Sequence, residues 1–465
     1  MKQKRVLKAT IWYTFSNFLM KGLGFITTPI FSRILTKNDY GMYTNILAWY
    51  AIITIIATFS LASSLQVARF DFKDDVNRYI KSCLILGTII AAVISSILLL
   101  NGNIMGDIMA IEKKYYVIIC LNVLVSPAYD MFLQVQRFDY KYERVAAVTI
   151  SVAVSSILLS FLLIYLMKDD LMARTLGTFM PTFIVSVVLY IYYVTAKGEV
   201  EWRFCKYALV ISAPYVIHLL SGTILESSDK TVITRIKGAE DNALYSIAYS
   251  TGMIVNVLWN SMNSAFSPWL GEKLNDSDFK SIRKHSYGYL LLFSIMVVLI
   301  SLIAPELMLI MGGKSFCEAK FCLPPILGGY FFWFIYSMYV NIEQYKKKML
   351  PMAIATCFAA VINILTNIFF VDRYGYAAAA YTTWFCYFLL FVFHYIIIRK
   401  MNYHTIYDIR FILFVAVIVC IALMINVKVL YRMDLYRYIA GMIYIVAVGI
   451  VFWKKRDRCL KYFRA

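Results

Sequence analysis

The feature that most constrains this chain is the spacing of its charges. Val145–Met167 runs for 23 residues without one, Ser286–Pro305 for 20 and Met349–Val371 for 23, and Ala9–Ser32 holds a single lysine in 24. A helix needs about 20 apolar residues to cross the hydrocarbon core of a bilayer. Comparable blocks recur at 9–32, 40–68, 82–104, 115–136, 145–167, 175–196, 207–228, 242–268, 286–311, 321–342, 349–371, 375–398, 411–427 and 436–453, which predicts about 14 transmembrane helices. Only 16% of residues are charged and 61% are hydrophobic, whereas a soluble domain carries about a quarter charged. A soluble enzyme is excluded. The absence of alternating ten-residue strands argues against an outer-membrane barrel. The expected class is an all-α polytopic membrane protein.

The charges between the blocks set an orientation. With the N-terminus inside, inner segments hold 30 of the 46 Lys+Arg and outer loops 15, with Lys21 inside a span. The positive-inside rule then places both termini in the cytoplasm. The net charge of +19 reads as contact with anionic membrane lipids, and nucleic acid is not needed to explain it. The basic tail Lys454-Lys455-Arg456-Asp457-Arg458 reads as a stop-transfer anchor. The first block is too long for a cleavable signal and carries Lys21 at its centre. Cys317 and Cys322 share an outer loop, where they either pair in an oxidising exterior or remain free thiols. Histidines 218, 285, 394 and 404 are too scattered to suggest a metal site. No loop is long enough to hold a folded domain, and no phosphate cradle or nucleotide motif is present. No enzymatic activity, cofactor or metal is expected.

Aligning the loops reveals an internal repeat. Arg33, Asp39 and Tyr43 recur as Arg235, Asp241 and Tyr245, at an offset of 202. Each arginine ends one helix and each aspartate lies near the cap of the next. The repeat divides the chain into a six-helix lobe at 1–205, a second at 206–400, and an accessory pair with a basic tail at 401–465. Paired halves of six spans are a transporter pattern, with the substrate site at the repeat interface near the membrane midplane.

Polar residues inside the spans mark candidate sites. Thr10, Thr14, Asn17, Lys21, Gly24 and Thr28 follow at steps of three and four, which lines them along one helix face. Lys21 lies about 18 Å of helix from the inner start. Its stem is too short to reach the interface across half a bilayer core, so it faces a wet cavity or a partner charge. Asn256, Asn260, Asn263 and Ser267 form a second stripe; such amides suit sugar hydroxyls but equally bind helices together. His218, Ser221, Glu226, Asp229 and Lys230 follow Pro214 on the seventh span, where the last three read as ion-coupling groups or as an ion pair at the membrane surface. Asp130, with Asn122, Ser126 and Gln134, is a further ion-coupling candidate or the partner of Lys21. Asn341 with Gln344, and Asn363 with Asn367, carry weaker signals of the same kind.

The stretch Thr27-Thr28-Pro29-Ile30-Phe31-Ser32-Arg33-Ile34-Leu35-Thr36-Lys37-Asn38-Asp39-Tyr40-Gly41 resembles the opening signature of Wzx-type polysaccharide flippases. So do Ser228-Asp229-Lys230 followed by Leu244-Tyr245, and Gly375-Tyr376-Ala377-Ala378. These flippases belong to the multidrug/oligosaccharidyl-lipid/polysaccharide exporter superfamily. The resemblance implies two six-helix lobes in a V shape plus an extra helix pair. It also implies outward flipping of undecaprenyl-diphosphate-linked oligosaccharide by alternating access, in the bacterial cytoplasmic membrane, for O-antigen, capsule or a similar glycan. Expected partners are that lipid-linked substrate, a polysaccharide polymerase and other assembly proteins. Lys21-Gly22-Leu23-Gly24-Phe25 matches a basic position in helix 1 of related lipid II flippases. Substrate contacts are then expected from Lys21, Asn17, Arg33, His218, Arg235, Asn256, Asn260 and Asn263. The family often has Asp-Arg where this chain has Asp229-Lys230, which weakens a bidentate phosphate role there. A cation-coupled multidrug antiporter of the same superfamily is the second reading, and a membrane acyltransferase using His218 the third.

Overall fold

Away from water a segment satisfies its own N–H and C=O groups only as a helix or in a closed barrel, and this chain is helical. The computed structural model describes residues 25–139, 141–195 and 198–454, and no strand occurs among them. The first block ends as α1 at 25–34. Then come α2 (Lys37–Thr58), α3 (Leu65–Asp71), α4 (Val76–Leu100), α5 (Gly102–Met109), α6 (Lys113–Phe138), α7 (Tyr142–Leu166) and α8 (Asp170–Thr195). The chain continues through α9 (Trp202–Lys237), α10 (Ala239–Asn275), α11 (Phe279–Leu302), α12 (Ala304–Gly312) and α13 (Leu323–Tyr345). It ends with α14 (Met349–Tyr374), α15 (Ala377–Lys400), α16 (Ile409–Lys428) and α17 (Asp434–Lys454).

Among the described residues ten helices are long and apolar enough to cross a membrane. They become eleven if the 3-10 turn Lys314–Phe321 and α13, bent by 50° to each other, count as one. The expected 14 are not all reached among the described residues. Most of the first block lies outside the described residues. The second is not one helix: Phe59 and Ser60 adopt left-handed backbone, at φ 48° and 44°, and break it between α2 and α3. The eighth folds as the 37-residue α10, whose asparagine stripe leaves it less apolar than the other spans. Cys317 and Cys322 are free thiols.

The chain forms two compact units, one of residues up to Ser246 with Thr356–Ala379, the other of Ile247–Ala355 with the chain from Ala380. In the first, Tyr43, Ile46, Tyr115, Ile119 and Phe179 are buried together between α2, α6 and α8. α2 is capped by Thr36, which accepts from the Asp39 amide at 3.1 Å while its hydroxyl donates to the Asp39 carboxylate at 2.6 Å. α2 then passes the start of α10 with no side chain between backbones. A Cβ at Gly41 would lie 1.7 Å from the Ala239 carbonyl oxygen. Asn242 donates to the Gly41 carbonyl at 2.8 Å and to Thr44 at 3.1 Å, and Ser246 donates to Thr44 at 3.0 Å. Thr44 and Ser246 are 202 residues apart, the offset of the sequence repeat.

Arg174, one turn into α8, is 8% exposed and has no carboxylate partner among the described residues. Its Nη1 donates to Ser160 at 2.7 Å, and its guanidinium lies 3.6 Å from the Phe31 ring centroid and 4.8 Å from that of Tyr43. The negative faces of the two rings attract the guanidinium where a carboxylate would otherwise pair with it.

The second unit packs Trp259 edge-on to Phe334 at 4.6 Å and stacks Phe293 on Phe334 at 4.3 Å. Its last helix is held by a charged clamp. Arg437 of α17, 3% exposed, makes two 2.7 Å bonds to the Glu306 carboxylate and one of 3.0 Å to the Leu302 carbonyl. Removing one partner of a buried pair strands the other at a cost of about 3–5 kcal/mol. Because Glu306 is 37% exposed, Arg437→Ala is expected to cost less, about 2–3 kcal/mol, with α17 the first segment to become protease-sensitive. Arg437→Lys should not restore wild-type melting, because an ammonium cannot form the parallel pair of bonds. Unchanged α17 protection in Arg437→Ala would count against the clamp.

Candidate functional site

The sequence candidates fall into different surroundings. In the first unit Asp229 of α9 is fully buried. Its carboxylate accepts from the Tyr245 hydroxyl on α10 and from Asn367 Nδ2 on α14 at 2.6 Å. Asn367 also donates to Asn363 Oδ1 at 3.1 Å, and Ser228 donates to the same oxygen at 2.8 Å. Three helices thus converge on one buried carboxyl group. Lys230 is half-buried within the field of Asp229 and Glu226, and Glu226 is exposed. Hydrogen bonds to a charged acceptor are worth about 1.5–3 kcal/mol each. Asp229→Leu is therefore expected to destabilise the protein by about 3 kcal/mol. Asp229→Asn keeps an acceptor for Asn367 and a donor for the Tyr245 oxygen, so it should melt close to wild type. A folded Asp229→Asn protein without transport assigns the charge to function, and one with full transport assigns it to packing.

Arg33 is exposed, and its Nη1 donates to the Pro29 carbonyl at 2.6 Å. Arg235 is exposed in the last turn of α9. His218 is half-buried, and its Nδ1 has no hydrogen-bond partner among the described residues. The acyltransferase reading needs an oriented His/Asp pair, and among the described residues no carboxylate bonds His218. Asp130 is half-buried on α6. Lys21 and Asn17 lie outside the described residues.

In the second unit the asparagines of α10 bond to one another and to α13. Asn260 donates to Asn256 at 2.7 Å, and Asn341 donates to Asn263 at the same distance. Asn256 is buried and Asn260 exposed, so the stripe joins two helices and still presents an amide outward.

Two features had no counterpart in the sequence reading. The first unit contains a groove of about 530 Å³ lined by Arg69, Phe70, Lys73, Asn77, Val135 and Asp139. Arg69 and Lys141 each contact the Asp139 carboxylate at 2.8 Å. Burial raises the pKa of that carboxyl, but the bonds from Lys141 and Arg69 outweigh it and hold the group below its ordinary value. The second unit buries a Glu343–His394 pair. No group of three or more His, Cys, Asp or Glu among the described residues could hold a metal ion.

A family described as polysaccharide biosynthesis protein matches residues 6–274, and the MatE family matches 214–369. An uncharacterized membrane protein of Methanocaldococcus jannaschii is 18% identical, over 89% of this chain and 88% of its own. Among solved structures, the lipid II flippase MurJ in an inward closed conformation superimposes with a TM-score of 0.74 at 14% identity, covering 96% of this chain and 99% of that one. An inward-facing multidrug resistance MATE family transporter of the MOP superfamily follows at 0.67 and 14%, covering 85% and 99%. At such identities these likenesses concern the fold.

Proposed function

Because the chain belongs to the polysaccharide biosynthesis protein family, we propose that it flips undecaprenyl-diphosphate-linked oligosaccharide repeat units from the cytoplasmic to the outer leaflet by alternating access. It is a multi-pass membrane transporter of the multidrug/oligosaccharidyl-lipid/polysaccharide exporter superfamily, and the proposal concerns its cargo. The observation that carries the proposal is the extent of the family match, which runs over more than half of the chain and through all the helices that precede α11. In this reading both termini are cytoplasmic and the membrane is the bacterial plasma membrane. The lobes 1–205 and 206–400 alternate, and a polymerase receives the glycan. Lys21 holds the diphosphate with Asn17, His218, Arg33 and Arg235 as further contacts, and the outward amides of α10 meet the sugars. The groove beside Arg69 and Lys73 joins cations to an apolar wall, which suits the junction of a phosphate head and a lipid tail.

The second reading, a cation-coupled multidrug antiporter, draws on the MatE match and on the buried Asp229 carboxyl group. Deleting the gene separates the two. Under the flippase reading, lipid-linked glycan accumulates in the cytoplasmic leaflet, surface glycan is lost, and drug sensitivity does not change. Normal surface glycan with increased drug sensitivity would favour the antiporter.

A further inference from the structure

One buried pair of titratable groups has no role in the transport reading. Glu343 lies in the last turn of α13 and His394 in the second half of α15, 51 residues away. Their side chains are 0% and 1% exposed, and His394 Nδ1 lies 2.8 Å from Glu343 Oε1. Tyr336, about two turns back along α13, stacks on the imidazole with 5.4 Å between centroids and 13° between planes, which fixes the ring. The second carboxylate oxygen, Oε2, is buried and has no hydrogen-bond partner among the described residues.

An unpaired charge in such a place costs several kcal/mol. With one proton shared between carboxylate and imidazole the pair is neutral overall, whichever atom carries it. Without that proton a net negative charge is left in a dry site, and a second proton makes the site positive.

Lys346, Lys347 and Lys348 follow Glu343 past the end of α13, and the Lys348 amide donates to the Glu343 backbone carbonyl at 2.9 Å. Nearby on α13, Tyr339 packs against Tyr395 of α15 and Tyr407 ahead of α16. Lys346 sits over the rings of Tyr345 and Tyr403, and Arg399 and Lys400 occupy the final turn of α15. From α11, His285 bonds the Ser281 carbonyl of its own helix, and Tyr287 donates to Asp408. Among the described residues no side chain of these groups bonds the Glu343 carboxylate or the His394 ring.

We propose that Glu343 and His394 form a proton-binding site, and that proton exchange there accompanies opening of the α13–α15 contact to water. The proton passes between the carboxylate–imidazole hydrogen bond and bulk water, and no other reactant takes part. The proposal deepens the transport reading by naming the proton as a ligand. Its test needs no cargo, so its failure is distinct from failure of the flippase assignment.

The full chain in lipid nanodiscs is compared at about pH 5 and pH 8, the range in which an imidazole changes charge. Infrared difference spectra should show carboxyl and imidazole bands in the wild type that disappear in Glu343→Gln and His394→Gln. Hydrogen–deuterium exchange of α13 and α15, corrected for intrinsic rates, should change at least about threefold across this range. The double variant Glu343→Leu/His394→Leu strands no charge and should fold even where a single variant does not; it should show neither response. Wild-type bands in Glu343→Gln, a wild-type exchange response in the double variant, or no exchange response in the wild type would each overturn the proposal.

Discussion

Gly41→Ala is expected to lower folded yield sharply and to abolish transport, although it adds a single methyl group. That methyl would sit 1.7 Å from the Ala239 carbonyl oxygen, so α2 and α10 have to separate. Separation breaks the Asn242 bonds to Gly41 and Thr44 and the Ser246 bond to Thr44. Overpacking typically costs about 1–3 kcal/mol, and each buried hydrogen bond about 1 kcal/mol more. The expected loss is therefore about 3 kcal/mol or above, read as a lower melting temperature in detergent. Because the clashing atom is backbone, Ala239→Gly should not rescue the variant. Wild-type melting of Gly41→Ala would show that the helices do not approach this closely.

Lys21→Ala is expected to reduce glycan export at least about tenfold while the protein inserts at normal abundance. Losing one hydrogen bond to a charged group, about 1.5–3 kcal/mol, is enough for that change. Lys21→Arg should retain much of the export, since either head group pairs with phosphate oxygens. If Lys21 instead neutralises a buried acid such as Asp130, Lys21→Ala would lower abundance. Lys21→Ala/Asp130→Asn would then restore both abundance and export, because no unpaired charge remains. Normal export from well-folded Lys21→Ala protein would remove the residue from the substrate site.

The helices were legible because a charge-free run of 20 residues has few other ways to exist. The site was less so, since its pairings join distant positions. Arg174 and Arg437 were counted as loop charges from their places at block ends. Each lies inside a helix, shielded by Phe31 and Tyr43 in one case and clamped to Glu306 in the other. Periodicity along one helix does not reveal what covers it from another. Glu343 was hidden in the same way, at a boundary and 51 residues from its histidine. The break at Phe59–Ser60 has neither glycine nor proline to announce it. The asparagine stripe was legible as a stripe, yet its partner Asn341 comes from another helix. The fold supplied that link.

The contact of Thr44 with Ser246 also bears on ancestry. In an isologous dimer a residue that touches its own counterpart lies on the two-fold axis, and Thr44 and Ser246 hold equivalent places in the sequence repeat. Around that contact the copies no longer match. Gly41 yields space to Ala239, whereas its counterpart is Ala243, and the amide that bonds across is Asn242, whose counterpart is Tyr40. One copy has become the floor of the crossing and the other its latch, a division of labour closed to two identical chains. Exchanging the pair, with glycine at 243 and alanine at 41, should not reproduce the crossing. Equivalent places in the repeat thus carry unequal duties at a single crossing.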